Sequence, residues 1–345
     1  MKIDLIANDG SPIGVTPADI YGKGVGGAEL AMMSLMETFA NRGHEVRVYN
    51  DPVRGGDFDG VKYVSRNSFN PREARDVLIV FRSPNPLLIG ALARKKIWWS
   101  MDQYTIGSFA SLAELVDLCI TISPFHTQHH VEQYRIEQHK LGHIDLGVKI
   151  EDYDQNIKKV EGRMIWCSIP DRGLQILHAA WPLIKREIPS ASLVITSDYS
   201  LWGSSPAISK HRLNWAGMDG VDYMGKIPRD ELVKQQLEAE IMPYPCVYNE
   251  LFCISVAECQ VAGALPVTST LGALPTTNSF GITVRGDLTN PLVLQQSFVD
   301  RVVGLMKQDR PYLEERRKTM RIGAKMRFDW NTIAEQWEKL FEEKQ

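Results

Sequence analysis

The chain has 345 residues, of which 39 are basic and 42 acidic, for a formal net charge of −3. That length exceeds one ordinary hydrophobic core and implies about two domains, while the even charge balance leaves no electrostatic footprint for nucleic-acid binding. Five scattered cysteines without a C-x-x-C pair argue against a disulfide framework and against structural zinc.

Strand-like and helix-like segments alternate along the chain, the grammar of parallel sheets covered by helices. The stretch Ile3–Ala7 reads as a short strand that meets polar residues at once, so no signal peptide is expected. No apolar run approaches the ~20 residues needed to span a bilayer, and a soluble, cytoplasmic protein is the expectation. A loop with Gly22, Gly24, Gly26 and Gly27 then opens a helix at Ala28–Asn41. Gly26-Gly27 lets backbone approach a ligand without hindrance from Cβ, and the amides of a helix start attract anions. The loop approximates the dinucleotide pattern G-x-G-x-x-G, but Glu29 stands at the third glycine position. After the next strand, Glu45–Tyr49, Asn50-Asp51 is only an approximate acidic ribose anchor. A ligand loop, a dinucleotide site and a plain turn all stay open.

Strands are expected at Asp76–Phe81, Lys96–Ser100 and Leu118–Ile122, with helices at Asn85–Ala93, Phe109–Leu115 and Pro124–Tyr134. Asp102 follows the aromatic strand end Trp98-Trp99-Ser100, on the edge where open α/β sheets place ligands; a capping role is the plainer alternative. His126 and His130 stand one helical turn apart but lack a third strong ligand nearby, so no metal site is expected. A short strand around Lys140–Leu146 leads to a polar connector, 151–162, which divides a first domain, 1–158, from a second, 159–327.

The second half restarts the pattern. Strands at Arg163–Ile169, Ser192–Thr196, Val221–Gly225, Glu240–Tyr244 and Leu265–Thr268 alternate with helices at Gly173–Glu187, up to about Ala216, and at Arg229–Gln236. Asn290–Lys307 and Tyr312–Lys325 read as closing helices. The last segment, Trp330–Glu343, carries Trp330, Ile333, Ala334, Trp337, Leu340 and Phe341 on one helical stripe. Two Rossmann-like domains facing a cleft follow from this alternation.

The densest signal is Asn249-Glu250-Leu251-Phe252-Cys253-Ile254-Ser255-Val256-Ala257-Glu258, which runs on to Gly263 and the apolar strand. It reads as a carboxylate on a loop followed by a helix bearing a second carboxylate. Eight positions advance a helix by about 800°, roughly 80° past two turns, so the two acids share a face if helix begins near Glu250. Free N–H groups at the helix start are a seat for phosphate. Hydroxyl-binding carboxylates beside a phosphate seat outline a nucleotide sugar.

This segment resembles the E-x7-E signature of retaining glycosyltransferases, especially glycosyltransferase family four with the GT-B fold. Glu250-Leu251-Phe252-Cys253 is similar to that family's Glu-x-Phe-Gly turn, with Cys253 where glycine is usual, and Gly263, Pro266-Val267 and Ser269-Thr270-Leu271-Gly272 fall in register. Gly26-Gly27-Ala28-Glu29 resembles the family's entry loop. Pro170-Asp171-Arg172-Gly173 resembles its Pro-Glu-Lys-Gly phosphate turn, with Arg172 for the lysine and Cys167 where an arginine usually stands five positions earlier. Tyr223–Pro228 resembles the strand end that frames the donor base, and Met101-Asp102 stands where relatives carry His-Asp.

The resemblance implies two Rossmann-like domains in the GT-B arrangement, with the final helix, 328–345, crossing back to the first. It implies a nucleotide-sugar donor, a UDP-sugar by preference. Arg172, Lys226 and the helix amides at Cys253-Ile254 would contact the diphosphate, and Ile227 the base. Phe252 belongs to the donor turn; Glu258 would accept ribose hydroxyls and Glu250 sugar hydroxyls. Gly26, Gly27 and Asp102 would close over the sugar, with Glu250, Asp102 and Arg172 the residues expected to serve catalysis. No metal or other cofactor is expected, because cations and amides neutralise the leaving group. A hydroxyl acceptor on a glycan, a lipid-linked sugar or a small molecule is implied. The basic run Arg316-Arg317-Lys318 is either a solvated face or a peripheral contact with anionic lipid at the inner face of a membrane. The rivals are a nucleotide-sugar-binding protein without transferase activity and an epimerase-like enzyme on the same architecture.

Overall fold

The computed structural model describes residues 1–7, 14–202, 210–285 and 290–342. They form two compact units, one of Met1–Ile20, Val25–Gly147 and Asp329–Gln345, the other of Tyr21–Gly24 and Val148–Phe328. The polar stretch 151–162 lies inside the second unit.

The first unit is built on an eight-stranded sheet. Its strands are β1 (Lys2–Ala7), β2 (Glu45–Tyr49), β3 (Gly56–Phe58), β4 (Val61–Val64), β5 (Val77–Phe81), β6 (Lys95–Trp99), β7 (Leu118–Thr121) and β8 (Leu141–His143). The spatial order is β3-β4-β2-β1-β5-β6-β7-β8, parallel except for the β3–β4 hairpin. Every residue of β5, a Val-Leu-Ile-Val-Phe run, is buried, as helices on both faces of a parallel sheet require. The helices are α1 (Pro17–Lys23), α2 (Gly27–Asn41), α3 (Phe109–Glu114) and α4 (Pro124–Tyr134).

Two local features differ from the sequence-based expectation. The helix expected at Asn85–Ala93 is only a 3-10 turn over Pro86–Leu88. Pro84 and Pro86 offer no N–H, the Asn85 side chain accepts from the Leu87 N–H at 3.0 Å, and Gly90 turns the chain at φ +71°. The β3–β4 hairpin was not anticipated. Asp59-Gly60, at φ +50° and +78°, supplies the two left-handed residues that a tight hairpin between twisted strands demands.

The second unit carries a six-stranded sheet of β9 (Arg163–Trp166), β10 (Ser192–Ile195), β11 (Val221–Tyr223), β12 (Ile241–Tyr244), β13 (Leu265–Thr268) and β14 (Ile282–Thr283), all parallel in the order β11-β10-β9-β12-β13-β14. Its helices are α5 (Leu174–Glu187), α6 (Lys210–Trp215), α7 (Arg229–Glu238), α8 (Ile254–Ala262), α9 (Leu274–Thr277), α10 (Pro291–Met306) and α11 (Arg310–Phe328). Part of the loop expected before Ala216 lies outside the described residues. The core is one continuous cluster that includes the large buried side chains of Trp166, Trp181 and Tyr244.

Helix α12 (Trp330–Glu342) belongs to the first unit, as expected for the final helix, and packs on α2. Trp337 meets Trp99 at 5.3 Å between ring centroids and Phe341 meets Phe39 at 5.4 Å. Arg42 donates to both oxygens of Glu338 at 2.8 and 2.7 Å, closing the seam with a two-pronged ion pair. Among the parallel strands of each sheet the order reverses once, between β1 and β5 and between β9 and β12. Open α/β sheets bind ligands outside the carboxyl ends of the strands at such switch points.

Lys159 sets a pH dependence for the second unit. Its ammonium donates to the Ala262 carbonyl at 2.9 Å and reaches that of Gln236 at 3.4 Å, tying the end of α8 to α7. Burial pushes it down to about 7, with Arg317 and Arg321 adding to the shift and Cys259 and Glu240 opposing it. The unfolded chain then holds more protons than the folded one from about pH 7 to the usual lysine range. Stability should rise across that window by up to about 1.4 kcal/mol per pH unit. Denaturant titrations at stepped pH should show the rise in the wild type and a flatter curve in Lys159→Met; identical slopes would refute it.

Candidate active site

The switch point of the second unit brings together two loops distant in sequence. β9 ends at Trp166 and runs through Ser168 into a 3-10 turn, Pro170–Arg172; β12 ends at Tyr244 and runs through Tyr248 to Glu250. The Val247 N–H donates to the Arg172 carbonyl at 3.2 Å, which fixes one loop against the other. Glu250, 9% exposed, accepts a 2.6 Å hydrogen bond from the Tyr244 hydroxyl and lies 3.6 Å from Arg172 Nε. The Arg172 guanidinium stacks on the Tyr248 ring, 3.3 Å from its centroid, and Ser168 Oγ meets the Tyr244 hydroxyl at 3.0 Å. Burial pushes the Glu250 carboxyl above the usual carboxylate range, against the pull of Arg172 and Tyr244. Burial also opposes charge on Arg172, but Glu250 and Tyr248 outweigh it and hold the guanidinium above its ordinary value.

The turn expected after β13 packs against the Glu250 backbone. A Cβ on Gly272 (φ +57°) would stand 2.3 Å from the Glu250 carbonyl oxygen and 2.6 Å from its nitrogen, so no larger residue fits. The Ala273 N–H donates to the same carbonyl at 2.7 Å.

Helix α8 begins directly after Glu250. Its N-cap is Cys253, in the left-handed region at φ +75°, ψ +80°. A glycine would adopt that backbone freely; cysteine holds it at a cost of about 1–2 kcal/mol. Cys253 and Ile254 are half-buried at the helix start, while Phe252 is buried edge-on against Phe328 at 5.9 Å. Cys167 is buried, with its sulfur 3.8 Å from that of Cys259, so position 167 contributes to the seam between β9 and α8.

Glu258 lies within a buried network of its own. It is 3% exposed, and both oxygens are engaged: Oε1 accepts from Arg229 Nη1 at 2.5 Å and Oε2 from Gln236 Nε2 at 3.1 Å. Arg229 in turn bonds Asp152 at 3.0 Å and the Tyr153 hydroxyl at 3.2 Å, and Tyr153 donates to Gln236 at 2.6 Å. Lys226 and Ile227 lie just before α7, half-buried; the Lys226 N–H points to Asp198 Oδ2 at 3.4 Å, and Gly24 abuts the Ile227 carbonyl. The sequence reading missed Tyr244, Tyr248 and Arg229. Only the tyrosine content of the Pro-Tyr-Pro-Cys-Val-Tyr run before Glu250 offered a signal.

In the first unit, Gly26 and Gly27 open α2, and Asp102 follows β6 with its side chain 30% exposed. Met101 is buried. His126 and His130 stack at 4.6 Å around Ser100 Oγ, which lies 2.8 Å from His130 Nε2. Burial pushes His130 down to about 3 and His126 down too, as for a neutral core pair. Among the described residues no group of three or more His, Cys, Asp or Glu is arranged to hold a metal.

The basic run on α11 is largely used internally. Arg317 is buried, with its guanidinium 3.6 Å from Glu240; Arg316 reaches the Gly281 carbonyl at 3.5 Å, and Arg321 donates to that of Val261 at 3.2 Å. Lys318 is exposed beside Glu315. Among the described residues no helix is long and apolar enough to cross a membrane.

No protein-family model and no curated protein sequence matches this chain. Solved structures do. A glycosyltransferase from Rickettsia africae superposes with a TM-score of 0.71 at 14% identity, over 99% of this chain and 97% of its own. HepE of Anabaena, in complex with UDP and glucose, gives 0.69 at 14% identity over 99% of both chains. Sucrose-phosphate synthase of Thermosynechococcus elongatus gives 0.68 at 16% identity over 99% and 98%. The chain therefore has the fold of these glycosyltransferases, with two Rossmann-like parallel-sheet units.

Proposed function

We propose that this protein is a retaining, metal-independent glycosyltransferase whose second unit binds a nucleotide-diphosphate sugar and whose sugar passes to a hydroxyl acceptor. The observation that carries the reading is the meeting of Arg172 and Glu250 at the switch point, beside the N-terminus of α8. A guanidinium and helix amides suit a diphosphate, and a carboxylate held by Tyr244 suits sugar hydroxyls. UDP is the nucleotide of choice, since HepE binds UDP and UDP-glucose. As the sugar–phosphate bond breaks, charge grows on the diphosphate, and cations already in place stabilise it most. Glu250 recognises hydroxyls and is not the nucleophile; the leaving phosphate guides attack on the same face.

Titration with UDP-, GDP- and ADP-sugars, followed by NMR of the anomeric product, tests donor class and stereochemistry. No donor binding, or an inverted product, would overturn the corresponding part. Glu250→Gln, which keeps a partner for Tyr244, should lower kcat about a hundredfold while nucleoside diphosphate affinity stays within a few-fold. Because the raised carboxyl must be ionised to accept hydroxyls, wild-type activity should fall with falling pH through a limb above the usual glutamate range. Parallel loss of turnover and nucleotide affinity would make Glu250 a structural residue.

A further inference from the structure

The first unit has its own switch point, and a cluster that sequence reading did not find sits there. Three elements meet at the carboxyl edge of the sheet: α2, which follows β1, contributes Glu29; Arg82 comes directly after β5; Asp102 follows β6. Arg82 grips Asp102 with two prongs, Nε to Oδ2 at 2.7 Å and Nη2 to Oδ1 at 3.2 Å, and reaches Glu29 Oε1 from Nη1 at 3.2 Å. Its backbone is left-handed at φ +66°, although it is not glycine. That conformation is held from both sides: the Arg82 N–H donates to the Trp99 carbonyl at 3.0 Å, and the Arg82 carbonyl accepts from Trp98 Nε1 at 2.9 Å. Backbone strain fixed by its surroundings concentrates at functional sites. The other Glu29 oxygen lies 2.3 Å from where a Cβ on Gly26 would stand, so one carboxylate links Arg82 to the glycine loop.

We propose that Arg82 is the positioning residue of the acceptor site, holding Asp102 and the Gly26-Gly27 loop for an uncharged, polyhydroxylated acceptor. The inference rests on the glycosyltransferase reading above. Two carboxylates around one guanidinium leave the cluster net negative, which favours hydroxyl donors and disfavours phosphorylated or carboxylated acceptors. The Asp102 side chain, 30% exposed, keeps lone pairs beyond those that Arg82 occupies. A guanidinium paired with a carboxylate thus stands at the switch point of each sheet.

The test compares wild type, Arg82→Gly and Arg82→Lys. Glycine adopts the left-handed backbone without strain, so Arg82→Gly separates loss of the guanidinium from loss of the turn. Expected for Arg82→Gly are a melting temperature within a few degrees of wild type and UDP affinity unchanged within twofold. Its kcat/KM for a neutral glycan acceptor should fall at least tenfold, chiefly through acceptor KM, with Arg82→Lys in between. Wild-type acceptor kinetics in Arg82→Gly would overturn the inference, as would equal losses in UDP affinity and acceptor use. Failure of the wild type to bind any nucleoside diphosphate would instead overturn the glycosyltransferase reading, and this inference with it.

Discussion

Glu258→Ala should lower the stability of the protein by about 3 kcal/mol, the low end of the range for breaking one side of a buried ion pair. Arg229 loses its closest carboxylate at a position 5% exposed, and among the described residues only Asp152 remains to balance the guanidinium. Gln236 loses its acceptor as well, and a buried amide N–H without a partner adds to the cost. For a unit of this size the change corresponds to a drop in melting temperature of roughly 10 °C. A double-mutant cycle with Arg229→Leu should return a coupling of about 2 kcal/mol or more; a coupling near zero would mean that the pair does not hold α7 to α8. Nucleotide affinity is measured separately. If Glu258 also accepts ribose hydroxyls, it exchanges the Gln236 bond for them, and Glu258→Ala weakens UDP binding by tens-fold even at temperatures where the variant is fully folded. Unchanged UDP affinity in the folded variant would leave Glu258 with the structural role alone.

Arg172→Ala should weaken nucleoside diphosphate binding by about 2–4 kcal/mol, roughly thirty- to seven-hundredfold in Kd, and leave binding of the unphosphorylated nucleoside nearly unchanged. The reason is that position 167, where the family resemblance places a second cation, is a buried cysteine against Cys259. The guanidinium is also preorganised: stacking on Tyr248 and the neighbouring Glu250 restrict it before any ligand arrives, so little side-chain entropy remains to be lost. Arg172→Lys keeps the charge but loses the planar fork, and should fall between wild type and alanine. The decisive quantity is the gap between diphosphate and nucleoside affinity. A gap that survives Arg172→Ala unchanged would remove Arg172 from the phosphate site.

The sequence made legible whatever depends on neighbours in the chain. Strand and helix alternation, the E-x7-E helix from Ile254 and the apolar stripe of α12 are local patterns, and they were read correctly. What escaped reading depends on partners far away. Arg229 reads as an ordinary first-turn residue of α7 until Glu258, twenty-nine positions on, is folded beside it. Tyr244 reads as a strand residue in the core, and only its hydroxyl, reaching Glu250 past a chain reversal, gives it a chemical role. Arg82 carries no sequence mark at all, because its left-handed backbone is imposed by Trp98 and Trp99 from the next strand. The absent helix at Asn85–Ala93 is the opposite case: Pro84, Pro86 and Gly90, which limit it to one turn, stand in the sequence itself.

The membership of α12 in the first unit has a consequence for how the protein is made. Trp337 and Phe341, which cover Trp99 and Phe39, are translated only after the whole of 148–328 has been synthesised. The second unit is one uninterrupted stretch apart from 21–24 and is synthesised in full before α12. The first must wait with the α2 face and Trp99 uncovered. Vectorial synthesis usually lets the N-terminal portion mature first. Here the first unit cannot cover Trp99 and Phe39 until the last helix is made, after all of the second unit.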